Sequence, residues 1–214
     1  MVVCKLFFIE VIVSYKTEQE DFWAKDFGNE YINRNQNITN NIPFFNDVMR
    51  RTSNVKSVIE FGCNIGLKLK ALNILLPECK LTGIEINESA CKILNEWGRC
   101  NVINQSIFDY NENQKYDLSM TNGVLIHINP TMLNNVYEKL YNSSNRYILI
   151  NEYYNPTPVS IDYRGHSNKL FKRDFAGEML DKYSDLTLVD YGFNYHRDNN
   201  FNFGDGNWFL LEKN

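Results

Sequence analysis

The sequence has no C-x-x-C pair, no basic surplus, no internal repeat and no apolar run long enough to cross a bilayer. Each absence removes a class of protein. The five cysteines, Cys4, Cys63, Cys79, Cys91 and Cys100, are odd in number and widely spaced, whereas zinc sites and disulfide frameworks show tight or paired spacing. They read as free thiols in a reducing cytoplasm, and no metal is expected. With 22 basic against 26 acidic residues the net charge is -4, while a chain that grips duplex phosphates carries a basic excess or stripe. Nucleic acid is therefore not expected as a partner. The one basic stretch runs from Arg164 to Arg173.

No linker or low-complexity block divides the 214 residues, of which 43% are hydrophobic and 22% charged. That is the balance of one globular domain able to build a core. The most apolar segment, Met1 to Val13, is interrupted by Lys5 and Glu10 and is not followed by a small-residue cleavage site. It is too short to span the roughly 20 residues a bilayer requires. Residues 1–16 read as an apolar N-terminal extension, an added strand or an upstream addition. Residues 17–214 read as the domain itself, cytoplasmic and without a membrane span.

From Ser57 onward the pattern alternates. SVIEF, KLTGIEI, NVINQ, KYDLSMTNG and RYILINEYY read as strands. LKLKALNILL, stopped by Pro77, and ESACKILNEWG, ended by Gly98, read as helices between them. A further helix begins at Pro130, and DFAGEMLDKY has Asp174 as N-cap. Parallel neighbours need covering crossovers, so the fold class is α/β with a mostly parallel sheet. LTLVDYGFNYH and NWFLLEK have no helix between them and should close the chain as an antiparallel hairpin. TEQEDFWAKDFGNEYINRN, ahead of the alternation, suits a helical lid. The stripe Trp23, Phe27 and Tyr31 suits packing of that lid more than an aromatic cage.

The informative stretch is VIEFGCNIG, which puts Glu60, Gly62, Asn64 and Gly66 on a strand-to-helix turn. A dinucleotide fingerprint would want glycine at positions 62, 64 and 67; here they hold Gly62, Asn64 and Leu67. Acidic-x-Gly-x-Asn-x-Gly instead matches the first motif of class I methyltransferases, with Asn64 for the usual middle glycine. Asparagine tolerates the left-handed backbone better than most residues. Glu60 is then expected to face the ammonium of S-adenosylmethionine, a place where a pyrophosphate would be repelled. Glu85, 19 residues beyond Gly66, has the offset of a ribose-binding carboxylate, with Ile86 beside it. Ser106 and Ile107 are expected at the adenine, and Asn122 and Gly123 beside the sulfonium.

These blocks, with EQEDFWAKDFGNEYINRN, GVLIHINP, NEYYNPTPVSIDYRGH, LFKRDFAGEML, DYGFNYHRD and WFLLEK, resemble the pseudaminic acid biosynthesis-associated methylases from about Thr17 to Lys213. The resemblance implies a Rossmann-like class I methyltransferase that uses S-adenosylmethionine. It also implies an origin near genes for nonulosonic acid sugars or surface glycans, without naming the acceptor.

Methyl transfer is an in-line displacement in which positioning dominates, although a hydroxyl or amine acceptor also calls for a base. His127, after the fourth strand, is the candidate base, or else a packed histidine. Glu152, ending the fifth strand, would orient the acceptor or cap a loop. Tyr153 to His166 reads as a long loop at the ligand-binding edge. With Arg164, His166, Lys172 and Arg173 it would meet the phosphate of a nucleotide-linked sugar or the carboxylate of an acidic one, or form a solvated basic face. His196, after the sixth strand, is similarly placed, and Tyr31 and Arg34 would close from above. Competing readings are another S-adenosylmethionine reaction (cleavage or aminocarboxypropyl transfer) and a non-catalytic subunit of the same fold. A nicotinamide-dependent oxidoreductase lacks its third glycine.

Overall fold

The structure is a computed structural model that describes residues 15–202 and 204–214. The expectation for the apolar segment Met1 to Val13 lies outside the described residues. Chain order is α1 (Glu18–Ala24), α2 (Asp26–Arg34), α3 (Asn41–Met49), β1 (Ser57–Phe61), α4 (Leu67–Leu75), β2 (Lys80–Glu85), α5 (Glu88–Trp97), β3 (Asn101–Asn104), β4 (Tyr116–Asn122), α6 (Leu133–Ser143), β5 (Ser144–Glu152), β6 (Val159–Tyr163), β7 (His166–Lys172), α7 (Phe175–Lys182), β8 (Leu186–Phe193) and β9 (Asn207–Lys213). One sheet has the order β3-β2-β1-β4-β5-β9-β8. Its first five strands are parallel, and β9 runs antiparallel to both β5 and β8.

Strand alternation sorts the core onto two faces. Ile59 and Phe61 of β1, with Ile148 and Ile150 of β5, pack under α6 and α7 against Leu140, Phe175 and Met179. Val58 and Leu149 point the other way, against Phe45 and Val48 of α3 and Leu69 and Leu72 of α4. Each such fully buried side chain contributes about 1.5–3 kcal/mol. Glu60 shares the α3–α4 side with Val58 and is fully buried there.

The helix ends follow local chemistry. Asn87 accepts from the Ala90 amide at 2.9 Å to open α5, and Gly98 closes it in the left-handed region at φ 70°. Asp174 opens α7 by accepting from the Gly177 amide at 2.8 Å. Pro130 opens a 3-10 turn, Pro130–Met132, that leads into α6 and is not the first turn of α6 itself. Helix α3, with Pro43 near its start, was not expected. Proline is tolerated there because first-turn amides have no helical partner.

The expected long loop from Tyr153 to His166 is instead mostly a hairpin, β6–β7, forming its own two-stranded sheet. Arg164 (φ 51°) and Gly165 (φ 84°) make its two-residue turn. Tight hairpins need positive φ at both positions, and asparagine or glycine normally signals this. An arginine at the first position hides the signal.

Candidate active site

The strands β1, β2, β3 and β4 end side by side, and in open parallel sheets the loops leaving the carboxyl ends form the ligand crevice. The turn after β1 is shaped by three left-handed residues: Gly62 (φ 70°), Asn64 (φ 48°) and Gly66 (φ 73°). A Cβ on Gly62 would come within 2.6 Å of Val124, and one on Gly66 within 2.4 Å of Leu94. Space and backbone both demand glycine at these positions.

Glu85 ties this turn to the next loop. One carboxylate oxygen accepts from the Asn64 amide at 2.7 Å and the other from the Asn87 amide at 2.8 Å. Burial pushes its pKa up, against the pull of those amides. Each oxygen keeps a second lone pair, so the carboxylate can still accept from a ligand's hydroxyls.

A first chamber opens over these groups, lined by Gly62, Asn64, Glu85, Ile86, Ile107, Phe108, Asn122 and Gly123, with Glu20, Trp23 and Tyr31 of α1 and α2 as roof. Seven of the ten residues expected at a cofactor thus come together: Gly62, Asn64, Glu85, Ile86, Ile107, Asn122 and Gly123. Gly66 packs on Leu94 behind the turn. The Ser106 hydroxyl donates to Glu20 and accepts from the Phe108 amide at 3.0 Å, fastening the lid to the loop after β3.

Glu60 corrects an expectation. It is 0% exposed and lines neither chamber, so it does not face the open site directly. The ammonium of Lys68, at the start of α4, stands 3.9 Å from its Oε1 and lines both chambers. Burial pushes the Glu60 carboxyl up to about 7, with the Lys68 charge opposing. Sequence reading missed Lys68, which lies off the apolar stripe of its helix. The available signal was a cation in a helix's first turn, where the macrodipole disfavours one.

A second chamber adjoins the first through Tyr31, Asn64, Lys68, Asn122, Gly123 and His127. Its wall is rich in amides: Asn35, Asn37, Asn40, Asn41, Asn64, Asn122, Asn151 and Asn202. Arg34, Tyr153 and Tyr163 complete it. Asn122 and Asn151 sit opposite each other at the ends of β4 and β5, and the Asn151 Nδ2 donates a hydrogen bond to the Asn122 Oδ1 at 3.3 Å. The outer Nδ2 of Asn122 and the Oδ1 of Asn151 are buried and close no hydrogen bond among the described residues.

His127 ends the 3-10 turn Leu125–His127 and is 7% exposed. Its Nδ1 is 2.5 Å from the Lys169 carbonyl oxygen, which can only accept, so the contact assigns the proton to Nδ1 and leaves Nε2 as acceptor. Burial lowers its pKa to about 4, against that carbonyl. His127 is therefore a neutral hydrogen-bond acceptor and a weak base. The carboxylate of Glu152 is held by the amides of Val124 at 3.0 Å, Leu125 at 3.1 Å and Ile126 at 3.4 Å. It thereby caps that loop, as one of its two expected roles has it, and it also lines the second chamber. Burial pushes this carboxyl up to about 7 despite the three amides.

The expected basic cluster is dispersed. Arg173 donates to Glu178 at 2.7 Å, Lys172 lies over the Tyr153 ring, and Arg164 sits at the exposed hairpin tip over Tyr163. His166 packs edge-on against Phe22 and Phe27, and His196 pairs with Asp205 at 2.9 Å. None of these five lines either chamber. Successive strand residues point to opposite faces, so a run of basic residues does not stay one patch. Tyr31, Arg34 and Tyr153 do line the second chamber, and the hairpin adds Tyr163. Trp23 meets Phe27 and Tyr31 edge-on at 5.2 Å each, as lid packing.

Among the described residues no group of three or more His, Cys, Asp or Glu could hold a metal, and no helix is long and apolar enough to cross a membrane. Burial pushes the Cys63 thiol well above its ordinary range, so it presents no thiolate in the turn.

No family model matches the chain, and no curated protein matches it in sequence. Solved structures do match. An S-adenosylmethionine-dependent methyltransferase from Clostridium acetobutylicum is 12% identical, with 87% of this chain and 97% of that one covered at a TM-score of 0.64. The 1,6-didemethyltoxoflavin-N1-methyltransferase of Burkholderia thailandensis, solved with bound 1,6-didemethyltoxoflavin and S-adenosylhomocysteine, is 12% identical over 91% of this chain and 86% of its own, at a TM-score of 0.69. Magnesium protoporphyrin IX methyltransferase from Synechocystis, solved with bound S-adenosylmethionine, is 10% identical over 94% and 100%, at 0.65. The fold is the Rossmann-like one of these methyltransferases, with its parallel sheet and antiparallel hairpin.

Proposed function

We propose that the chain is a methyltransferase that binds S-adenosylmethionine in the first chamber and a small, hydroxyl-rich acceptor in the second. The observation that carries this reading is the seam between the chambers. The turn from Gly62 to Gly66, pinned by Glu85, opens directly into an asparagine-walled space across Asn122, Gly123 and His127. When bound, S-adenosylmethionine supplies an electrophilic methyl group on a sulfonium. The free lone pairs of Glu85 accept from ribose hydroxyls, and Ile86 and Ile107 give the adenine an apolar slot. Ser106 contributes indirectly, by holding Glu20 in the lid.

In the second chamber, neutral amides suit hydroxyl groups, each offering donor and acceptor. Arg34 suits a carboxylate or phosphate. A nucleotide-linked or acidic sugar fits this combination, in keeping with the resemblance to methylases of nonulosonic acid clusters. His127 accepts a hydrogen bond from the reacting hydroxyl and fixes its direction. With so low a pKa it aligns the acceptor more than it deprotonates it. The reading includes a cytoplasmic setting, supported by four free thiols at Cys63, Cys79, Cys91 and Cys100.

Calorimetric titration with S-adenosylmethionine, S-adenosylhomocysteine and NAD tests the cofactor. Micromolar binding of the first two without NAD is expected; binding of NAD alone, or of none, overturns the reading. A screen of nucleotide sugars with mass analysis then tests the reaction. S-adenosylhomocysteine is the expected product, and methylthioadenosine in its place would mean that the cofactor is cleaved.

A further inference from the structure

Lys68 is placed against two ordinary costs. Its side chain is only 21% exposed, and it stands in the first turn of α4, where the helix macrodipole repels a cation. It could meet its counter-charge in a direct bond, yet Glu60 stays 3.9 Å away. Among the described residues neither Glu60 oxygen closes a hydrogen bond. The groups around Glu60 are Lys68, the Glu85 carboxylate, and the Asn122 amide, which leans toward it without closing a bond. The Lys68 ammonium has three donors, and no described acceptor lies within hydrogen-bond distance of it. A buried ion pair with so much unused hydrogen-bonding capacity is costly unless a ligand completes it. The cation of this pair faces the cavity, and the anion lies behind it.

We infer that Lys68 binds the α-carboxylate at the amino acid end of the cofactor, with Glu60 as the counter-charge behind it. The inference rests on the S-adenosylmethionine reading and adds a specificity to it. The site selects a nucleoside that ends in a zwitterionic amino acid over one that lacks the carboxylate. The adjacent α-ammonium then sits within the field of Glu60, so carboxylate and ammonium each find the opposite sign. Lys68 is the only lysine or arginine that lines the first chamber among the described residues; His127, which also lines it, is neutral.

The test is calorimetry on the full chain with three probes: S-adenosylhomocysteine, its decarboxylated analogue S-adenosyl-3-thiopropylamine, and methylthioadenosine, which carries only a methyl group on the sulfur. The wild type should bind S-adenosylhomocysteine at least about tenfold more tightly than the decarboxylated analogue, as a charge-assisted bond implies. In Lys68→Met that preference should vanish while methylthioadenosine binds as before, and Lys68→Arg should restore much of it. Because Lys68→Met leaves Glu60 buried without its cation, the double variant Lys68→Met/Glu60→Gln is measured beside it and should lose the same preference. Equal wild-type affinity for S-adenosylhomocysteine and its decarboxylated analogue would overturn the inference and leave the cofactor reading intact. So would a Lys68→Met variant that keeps the preference, or one that loses all three probes equally along with the double variant. A wild type that binds none of the three overturns both.

Discussion

Glu152 and His127 belong to one device: the carboxylate of Glu152 gathers the amides of Val124, Leu125 and Ile126, and thereby fixes the single turn that ends in His127. The other side of the histidine is fixed by the Lys169 carbonyl of β7. Two elements distant in sequence thus set the direction of one imidazole.

Replacing Glu152 with alanine should leave buried amides without an acceptor. Each such orphan costs about 1–3 kcal/mol, so a loss of roughly 2–4 kcal/mol in urea unfolding is expected. Glu152→Gln keeps one acceptor oxygen and should lose less. Hydrogen exchange should show the amides of Val124 to Ile126 losing protection in the alanine variant before the sheet does. Unchanged exchange there would remove Glu152 from the role of cap.

The two buried carboxyls also set a pH dependence. Burial pushes Glu60 and Glu152 both up to about 7 in the folded chain, so each is partly ionised near neutrality, against an ordinary value near 4.5. Their contribution to stability is therefore fully present below about 4.5 and is lost as pH rises through about 7. His127, lowered to about 4, acts in the opposite sense, and its contribution is lost as pH falls from about 6.5 toward 4. Urea midpoints from pH 5 to 8 should fall less steeply for Glu60→Gln than for the wild type. Parallel curves would show that Glu60 does not titrate as described.

Glycines in the site separate folding from binding. Gly123→Ala meets no protein atom within 4 Å, although its φ of 67° favours glycine. Its stability cost should be about 1–2 kcal/mol, yet the added methyl group stands at the seam of the chambers and should weaken S-adenosylhomocysteine binding. Gly66→Ala drives its methyl into Leu94 of the core and should destabilise the chain more than Gly123→Ala does. Thermal melts and calorimetry on the two variants give the comparison. The reverse order would misplace the seam.

Arg34 and Arg173 divide the acceptor prediction. With the acceptor that a nucleotide-sugar screen returns, Arg34→Ala should raise KM about tenfold or more, as the loss of a charge-assisted bond does. Arg173→Ala breaks a bond to Glu178 outside both chambers and should leave KM unchanged. A KM effect confined to Arg173 would return the acceptor to the face read from the sequence.

Much of the framework was legible because its signals are local. The β-rich runs SVIEF and RYILINEYY, the glycines of the turn after β1 and the helix ends at Gly98 and Asp174 are each set by neighbouring residues. What escaped depends on distant ones. Lys68 acquires meaning only when α4 brings it back over Glu60. His127 becomes a neutral acceptor only once the fold buries it, and its free nitrogen is set by a carbonyl of β7; that hairpin was hidden by an arginine in a left-handed turn. The asparagines of the second chamber come from five separate segments, so no single sequence window gathers them all.

The sheet order also dictates a sequence of assembly. Because β9 lies between β5 and β8, β8 leaves the ribosome before the strand that it pairs with among the described residues exists. Until Asn207–Lys213 emerges, Ile148 and Leu149 have an open edge, and the exposed aromatics Tyr191 and Phe193 hang on a segment with no ladder to join. Closing the sheet is thus a step that waits for β9, and a nascent chain stalled short of it would offer sticky strand edges to chaperones or to its neighbours.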